Sequence, residues 1–408
     1  MLDKLIEYSK LIVNYGVNLQ KGQTLVLRCP ADSAAFGRLI AEAAYEAGAR
    51  EVVVFWSDDQ LERLRFLRAD NAVFDEIPKW VKTLCCEYAG KKAALVVVSA
   101  SDPEYLKGVD SDRLRRFAIT KGRELKEYQQ MLMHNEFPWC GVSVPSAAWA
   151  LKVFPGYSPE EAVEKLWDVI FHAVRVTGDG GANRRWEEHI NNLSKRVKIL
   201  DEYNFSRLVY KNSLGTDLSV ELPEGHRWIC CGEKAKTGTV FLANMPTEEI
   251  FTLPKKDGVN GVVYSSVPLS LDGNLVKDIC FTIKNGKITD VSASAGLETL
   301  TKKLEVDEGA RYLGEAALVP HKSPISDMGI LFYNTLYDEN ASCHFAFGKA
   351  YPCFTDAETA STEELIKRGL NDSAVHVDFM IGTPDLSITG FTHDGREVPV
   401  FVNGNFSF

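Results

Sequence analysis

The sequence predicts two domains. An α/β N-terminal domain with a mainly parallel sheet covers residues 1–183, and an α+β C-terminal domain covers 184–408. Three observations predict this. The chain has 408 residues, about twice the usual size of a single domain. Its first half alternates valine-rich runs with helical segments, the pattern of parallel βαβ units covered on both faces. Its second half changes to many short strands separated by turn signals.

The elements follow in order. Residues 3–15 place Leu5, Ile6, Leu11 and Ile12 at helical spacing. Thr24 to Arg28 is a short strand, and Ser33 to Ala47 is a helix with Gly48 as its C-terminal stop. The β-branched run Glu51 to Trp56 is a strand, Leu61–Leu67 and Phe74–Tyr88 are helices, and Ala94–Ser99 is a buried strand. A helix over Glu160–Val176 leads to Gly178-Asp179-Gly180-Gly181, an interdomain loop, so the boundary falls in 178–190 and is drawn at 183/184. Another helix covers Trp186–Glu202. Arg207–Tyr210 and Asp217–Glu221 flank Asn212-Ser213-Leu214-Gly215 as a hairpin. Gly261–Ser265 is a strand, and Ile279–Lys284 and Lys287–Ser292 form a hairpin through Asn285-Gly286.

Composition narrows the function classes. Hydrophobic residues are 45% and charged residues 25%, so long disorder and coiled-coil rods are not expected. The net charge is −10 with no run of Lys or Arg, which argues against a nucleic-acid surface or a polybasic membrane anchor. Charges interrupt the N-terminal segment too often for a signal peptide, and no apolar stretch reaches about 18 residues, so no transmembrane helix is expected. Nine cysteines, two pairs of them adjacent (Cys85-Cys86, Cys230-Cys231) and none in Cys-x-x-Cys, suit reduced thiols in a cytoplasmic chain. Gly-x-Gly-x-x-Gly after a strand, Gly-Lys-Ser/Thr, Gly-x-Ser-x-Gly and His-Glu-x-x-His are all missing. Cys343 and His344 are neighbours whose side chains point to opposite faces of a strand.

The C-terminal half carries metal-type ligands. In Val375-His376-Val377-Asp378-Phe379, read as a strand, His376 and Asp378 share one face. An imidazole and a carboxylate converging there suit a divalent ion. Asp338-Glu339-Asn340-Ala341-Ser342-Cys343-His344 packs two carboxylates, an amide and an imidazole into one turn-like segment. Glu248-Glu249 precedes an apolar run, as in a loop entering a strand. Glu315 sits among small and apolar residues, and a buried carboxylate wants a cation or a proton.

Together these segments resemble a family. Asn244-Met245-Pro246-Thr247-Glu248-Glu249-Ile250-Phe251-Thr252, Leu313-Gly314-Glu315, the 338–344 segment, Gly348-Lys349-Ala350-Tyr351 and His376-Val377-Asp378 occur in the order seen in the aminopeptidase T family of dinuclear metallo-aminopeptidases. The likeness runs nearly end to end and includes Trp139 through Pro145. It implies a cytoplasmic exopeptidase that releases single N-terminal amino acids from peptides with a free N-terminus, through a metal-bridged hydroxide. It implies two divalent metal ions per subunit (Zn, Co, Mn or Mg) in the C-terminal domain, and a homodimer whose subunits pack against each other's active sites. Carried over by position, the metal ligands are Glu249, Glu315, Glu339, His344, His376 and Asp378, and the catalytic residues are Tyr351 and Glu315. Glu315 is a bridging ligand or the general base. A related lineage on the same scaffold, resembling 2,5-dihydroxypyridine dioxygenase with one Fe(II), is the alternative. Of the remaining histidines, His172 is expected in the core or an interface, and His134, His189 and His393 on the surface or in loops. His226 and His321 lie in family-like segments and are candidates for the substrate pocket.

Overall fold

The computed structural model describes residues 1–100, 102 and 104–408. The chain forms two compact units, Met1–His189 with Cys231–Pro246, and Ile190–Cys230 with Thr247–Phe408. The sequence reading contains a single crossing; the chain makes two more, because Cys231–Pro246 returns to the first unit.

In the first unit a five-stranded sheet runs in the order Asn244–Met245, Trp139–Ser143, Ala94–Ser99, Thr24–Pro30, Glu51–Ser57. Every neighbouring pair is parallel. The valine-rich runs form it because both faces are covered: Leu27, Val96 and Cys140 on one face have no exposed surface, and Val26 and Leu95 on the other are buried against Cys85, Ala89 and Phe137. The first helix is Leu2–Leu11, continued by a π-helical turn over Ile12–Gly16. The helix expected from Phe74 starts only at Lys79. Pro78 precedes it, and a proline fits the start of a helix but not its interior. Helix Pro159–Ala173 opens with a capping box between Ser158 and Glu161. His172 on that helix is exposed, not in the core. Among the described residues, no helix is long and apolar enough to cross a membrane.

The second unit contains a two-stranded sheet, Leu269–Leu271 with Asn274–Val276, and two large antiparallel sheets. One has eight strands and includes both expected hairpins; Asn285 (φ 48°) and Gly286 (φ 79°) supply the two positive dihedrals of a type I′ turn. The other has five strands in the order His376–Met380, His344–Gly348, Leu313–Leu318, Ile250–Thr252, Ile229–Cys230. Its first two strands, His376–Met380 and His344–Gly348, send successive side chains to opposite faces. Phe345, Phe347 and Phe379 point to one face and pack on the larger sheet: Phe281 meets Phe379 at 5.1 Å and Phe347 at 6.0 Å, and Tyr210 meets Phe345 at 4.9 Å. Each such buried ring stabilises the sandwich by about 1.5–3 kcal/mol. Period two then sends His344, Ala346, Gly348, His376 and Asp378 to the other face.

Candidate metal centre

The register of the five-stranded sheet assembles the site. Glu315 pairs with Ala346, Ala346 with Asp378, and Gly348 with His376. Glu315 and Asp378 therefore flank a residue with only a methyl side chain, which leaves space between their carboxylates. Glu249 stands one residue before the strand Ile250–Thr252, which pairs with Leu318 to Ala316. Gly348 (φ +101°) allows a close approach: a Cβ there would lie 2.1 Å from the Val375 carbonyl oxygen.

Two overlapping ligand groups result, Glu249–Glu315–His344 and Glu315–His376–Asp378, each with its ligand atoms within 4.8 Å of one another. His344 Nε2 lies 3.1 Å from Glu249 Oε2 and 3.5 Å from Glu315 Oε1. His376 Nε2 lies 3.6 Å from Glu315 Oε2 and 3.4 Å from Asp378 Oδ1. Glu315 thus directs one oxygen toward each imidazole. The ring orientations are fixed from behind. His344 Nδ1–H donates to the carbonyls of Glu339 and Ser342, both at 3.0 Å, and His376 Nδ1–H donates to the carbonyl of Lys349 at 2.7 Å. Backbone acceptors at Nδ1 leave both Nε2 lone pairs for an ion.

Glu339 is buried, and its charge interacts with Asp378, Glu249, His344 and Glu315. Tyr351 is half-buried beside them, its ring 5.5 Å from His376 and 5.9 Å from Phe251. All seven sequence candidates therefore lie in one neighbourhood. The second carboxylate of the 338–344 segment has a different place: Asp338 accepts the backbone N–H groups of Phe332 (2.7 Å) and Asn334 (3.1 Å), and so shapes the loop before Glu339. His226 is buried against Trp228 with Nδ1–H on the Pro223 carbonyl, and His321 is exposed. An open cleft elsewhere in this unit, lined by Arg207, Glu221, Lys255, Arg368 and His393, contains none of the seven.

The electrostatics are those of a negative site in want of positive charge. Burial, reinforced by Glu249 and Asp378, raises the pKa of Glu315. Burial and the neighbouring carboxylates raise Glu339 well above the usual carboxylate range. Burial disfavours charged imidazoles, yet hydrogen bonds to Glu249 and Glu315 hold His344 well above 6.5, and Asp378 brings His376 to about 10. Burial also opposes ionisation of Asp378, but His376 outweighs it and lowers that pKa. With all four carboxylates ionised the site is negative even when both rings are protonated, and the raised pKa values of Glu315 and Glu339 express the cost of that unneutralised charge. Imidazole nitrogens and carboxylate oxygens in this proportion fit divalent zinc, cobalt or manganese.

Two residues carry the site without having stood out as candidates. Asn371, with no exposed surface, donates from Nδ2 to the carbonyls of Gly309 (2.8 Å) and Gly348 (2.6 Å), and its backbone carbonyl accepts the N–H of Ala350 beside Tyr351. Phe251 packs on Tyr351. Asn371 lies in a polar stretch with the composition of a turn, and Phe251 looks like any apolar strand residue within the family-like segment 244–252.

Known proteins resemble this chain along almost its whole length. Residues 1–406 match the model of the family described as thermophilic metalloprotease (M29). The chain is 46% identical over 406 residues to Aminopeptidase AmpS of Bacillus subtilis (strain 168), covering 99% of this chain and 98% of AmpS. Wild-type AmpT from Thermus thermophilus has the same fold with a TM-score of 0.92 at 37% identity, covering 99% of both chains. The 2,5-dihydroxypyridine dioxygenase of Pseudomonas putida KT2440 matches with a TM-score of 0.53 at 12% identity, covering 99% of this chain and 96% of that one, a likeness of fold alone. With a match over almost its whole length, and imidazoles and carboxylates gathered on one sheet face, this chain belongs to the thermophilic metalloprotease (M29) family.

Proposed function

We propose that the chain is a metal-dependent aminopeptidase that removes single N-terminal residues from peptides, working with two divalent cations. The observation that carries the proposal is Glu315, whose two oxygens face the Nε2 atoms of His344 and His376 and which belongs to both ligand groups. Glu249, His344 and Glu315 would hold one cation, and His376, Asp378 and Glu315 the other, with Glu339 completing the set. This supports the bridging role for Glu315 over the general base, because both its oxygens are engaged. Bound there, zinc, cobalt, manganese or magnesium would supply Lewis acidity, making water acidic enough to attack at neutral pH and polarising the scissile carbonyl.

The protein's own groups do the rest. The acidic surround attracts the free α-amino group of a peptide, which favours attack at the terminal bond. Tyr351, beside His376, donates a hydrogen bond to the carbonyl oxygen as negative charge gathers on it; loss of such a donor costs about 3–4 kcal/mol of barrier. Water adds to the carbonyl carbon, the C–N bond breaks, and the leaving nitrogen takes a proton. Phe251 packs on Tyr351 and so limits its motion.

The test is hydrolysis of aminoacyl-nitroanilides before and after chelation. Chelator should abolish it, zinc or cobalt should restore it, and elemental analysis should find two metals per chain. Full activity in His344→Ala would refute the assignment. The family likeness also supports a cytoplasmic homodimer, for which sedimentation should give twice the 45.4 kDa chain mass.

A further inference from the structure

We propose that Asn340 is a positioning residue for the metal centre, a buried amide that ties the chain entering Glu249 to the turn that carries Glu339 and His344. The inference rests on the ligand assignment above. Asn340 has no exposed surface. Its Oδ1 accepts the backbone N–H of Glu248 at 2.7 Å, across 92 residues of sequence. Its Nδ2 donates to the Leu336 carbonyl at 2.8 Å and lies 3.5 Å from Glu339 Oε1.

The position of this link matters more than its strength. Glu249 is anchored on its C-terminal side by strand pairing, Ile250 with Leu318 and with Cys230. On its N-terminal side, the peptide N–H immediately before it ends on Asn340. The two anchors together fix the direction in which the Glu249 carboxylate leaves the backbone. Asn340 also lies inside the turn whose Glu339 and Ser342 carbonyls orient the His344 ring. One side chain thereby sets the separation of Glu249 Oε2 and His344 Nε2, 3.1 Å apart.

The site demands an amide. An aspartate would keep the acceptor for Glu248, lose the donor to Leu336, and add a further negative charge to a surplus of carboxylates. A leucine would leave a buried N–H and a buried carbonyl unsatisfied. The amide alone serves both partners and adds no charge.

The experiment uses the full chain, stripped of metal, with zinc as the probe. Calorimetric titration should show zinc affinity in Asn340→Ala about 10–100-fold below the parent, the range for groups that orient metal ligands. Hydrogen–deuterium exchange of the metal-free chains should show faster exchange at 247–252 and 336–344 together, with the remainder unchanged. An Asn340→Ala chain with parental zinc affinity and parental exchange in both segments would overturn the proposal. So would a uniform loss of thermal stability with zinc affinity intact, since that marks a merely structural residue. Should the alanine variant not fold, Asn340→Asp decides by exchange: 247–252 stays protected while 336–344 loosens, and unchanged protection in both refutes the link. A parent chain that binds no zinc sinks the metal assignment by itself, and the exchange comparison still judges the link.

Discussion

Replacing Glu315 with glutamine separates what the site does for function from what it costs the fold. The substitution keeps the volume of a side chain only 5% exposed. It removes one ionisable oxygen pair from the residue common to both ligand groups. Loss of a group that only orients a ligand weakens metal binding about 10–100-fold, so loss of a ligand shared by two ions should exceed about 100-fold. Metal-free stability should move the other way. The pKa of Glu315 is raised by burial and by Glu249 and Asp378, so neutralising it relieves a like-charge contact, while Glu249 and Asp378 remain to face His344 and His376. The net raised pKa means that burial and like charge outweigh the imidazoles, and each unit of such a rise favours the neutral form by about 1.4 kcal/mol, or roughly 3–6 °C in the transition of a unit of this size. The assay is calorimetric zinc titration beside scanning calorimetry of the stripped protein. Parental zinc affinity in Glu315→Gln, or a metal-free melting temperature several degrees lower, would refute the reasoning.

Other outcomes follow from individual contacts. Burial lowers the pKa of His226 to about 4. The unfolded chain takes this proton near 6.5 and the folded chain only near 4, so stability should fall by about 3 kcal/mol as pH drops through that window; urea titrations of His226→Gln should show a flatter profile, and an unchanged slope would contradict the assignment. Gly348→Ala forces a Cβ to within 2.1 Å of the Val375 carbonyl at φ +101°. It should destabilise by about 1–3 kcal/mol and weaken zinc binding by displacing His376, read by denaturation and titration of one preparation. Asn371→Ala leaves the Gly309 and Gly348 carbonyls without their buried donor. A loss of about 1–3 kcal/mol with a fall in kcat larger than any change in KM would place its effect on Tyr351; unchanged kcat would restrict it to the fold.

Where periodicity was strong, the sequence was readable. Ala94–Ser99 and Thr24–Arg28 are apolar without alternation because helices cover both faces of their sheet. His376 and Asp378 were readable as neighbours because period two is a property of every strand. The order of the five-stranded sheet was not readable. Two of its strands, Ile229–Cys230 and Ile250–Thr252, are too short to show a period, and the second pairs with Ala316 to Leu318, far along the chain. The same holds for Asn244–Met245, whose two residues extend the first sheet. Three helices in 111–153 were not anticipated; Ser111–Glu124 is charged at many positions, and charge on an exposed helix obscures its apolar stripe. Spacing alone shows the metal centre as separate acidic fragments, which only the family likeness joins, because pairing across strands, and not spacing along the chain, brings Glu315 beside His344 and His376.

The donor set, more than the fold, separates the two chemistries on this scaffold. Fold does not fix function, and a likeness at 12% identity carries only the fold. A mononuclear ferrous site needs two imidazoles and one carboxylate around a single ion. Glu315, His376 and Asp378 could surround one ion, but in the reverse proportion, one imidazole and two carboxylates. Glu249, His344 and Glu339 would then be buried next to it with no cation of their own, and His344 would serve only to neutralise them. Burying carboxylates without compensation is costly, and His344 is held by two backbone carbonyls in the orientation that presents Nε2 to Glu249 and Glu315. Under the proposed assignment a second ion there would account for both the charge and the orientation, and it would share the Glu315 carboxylate with the first.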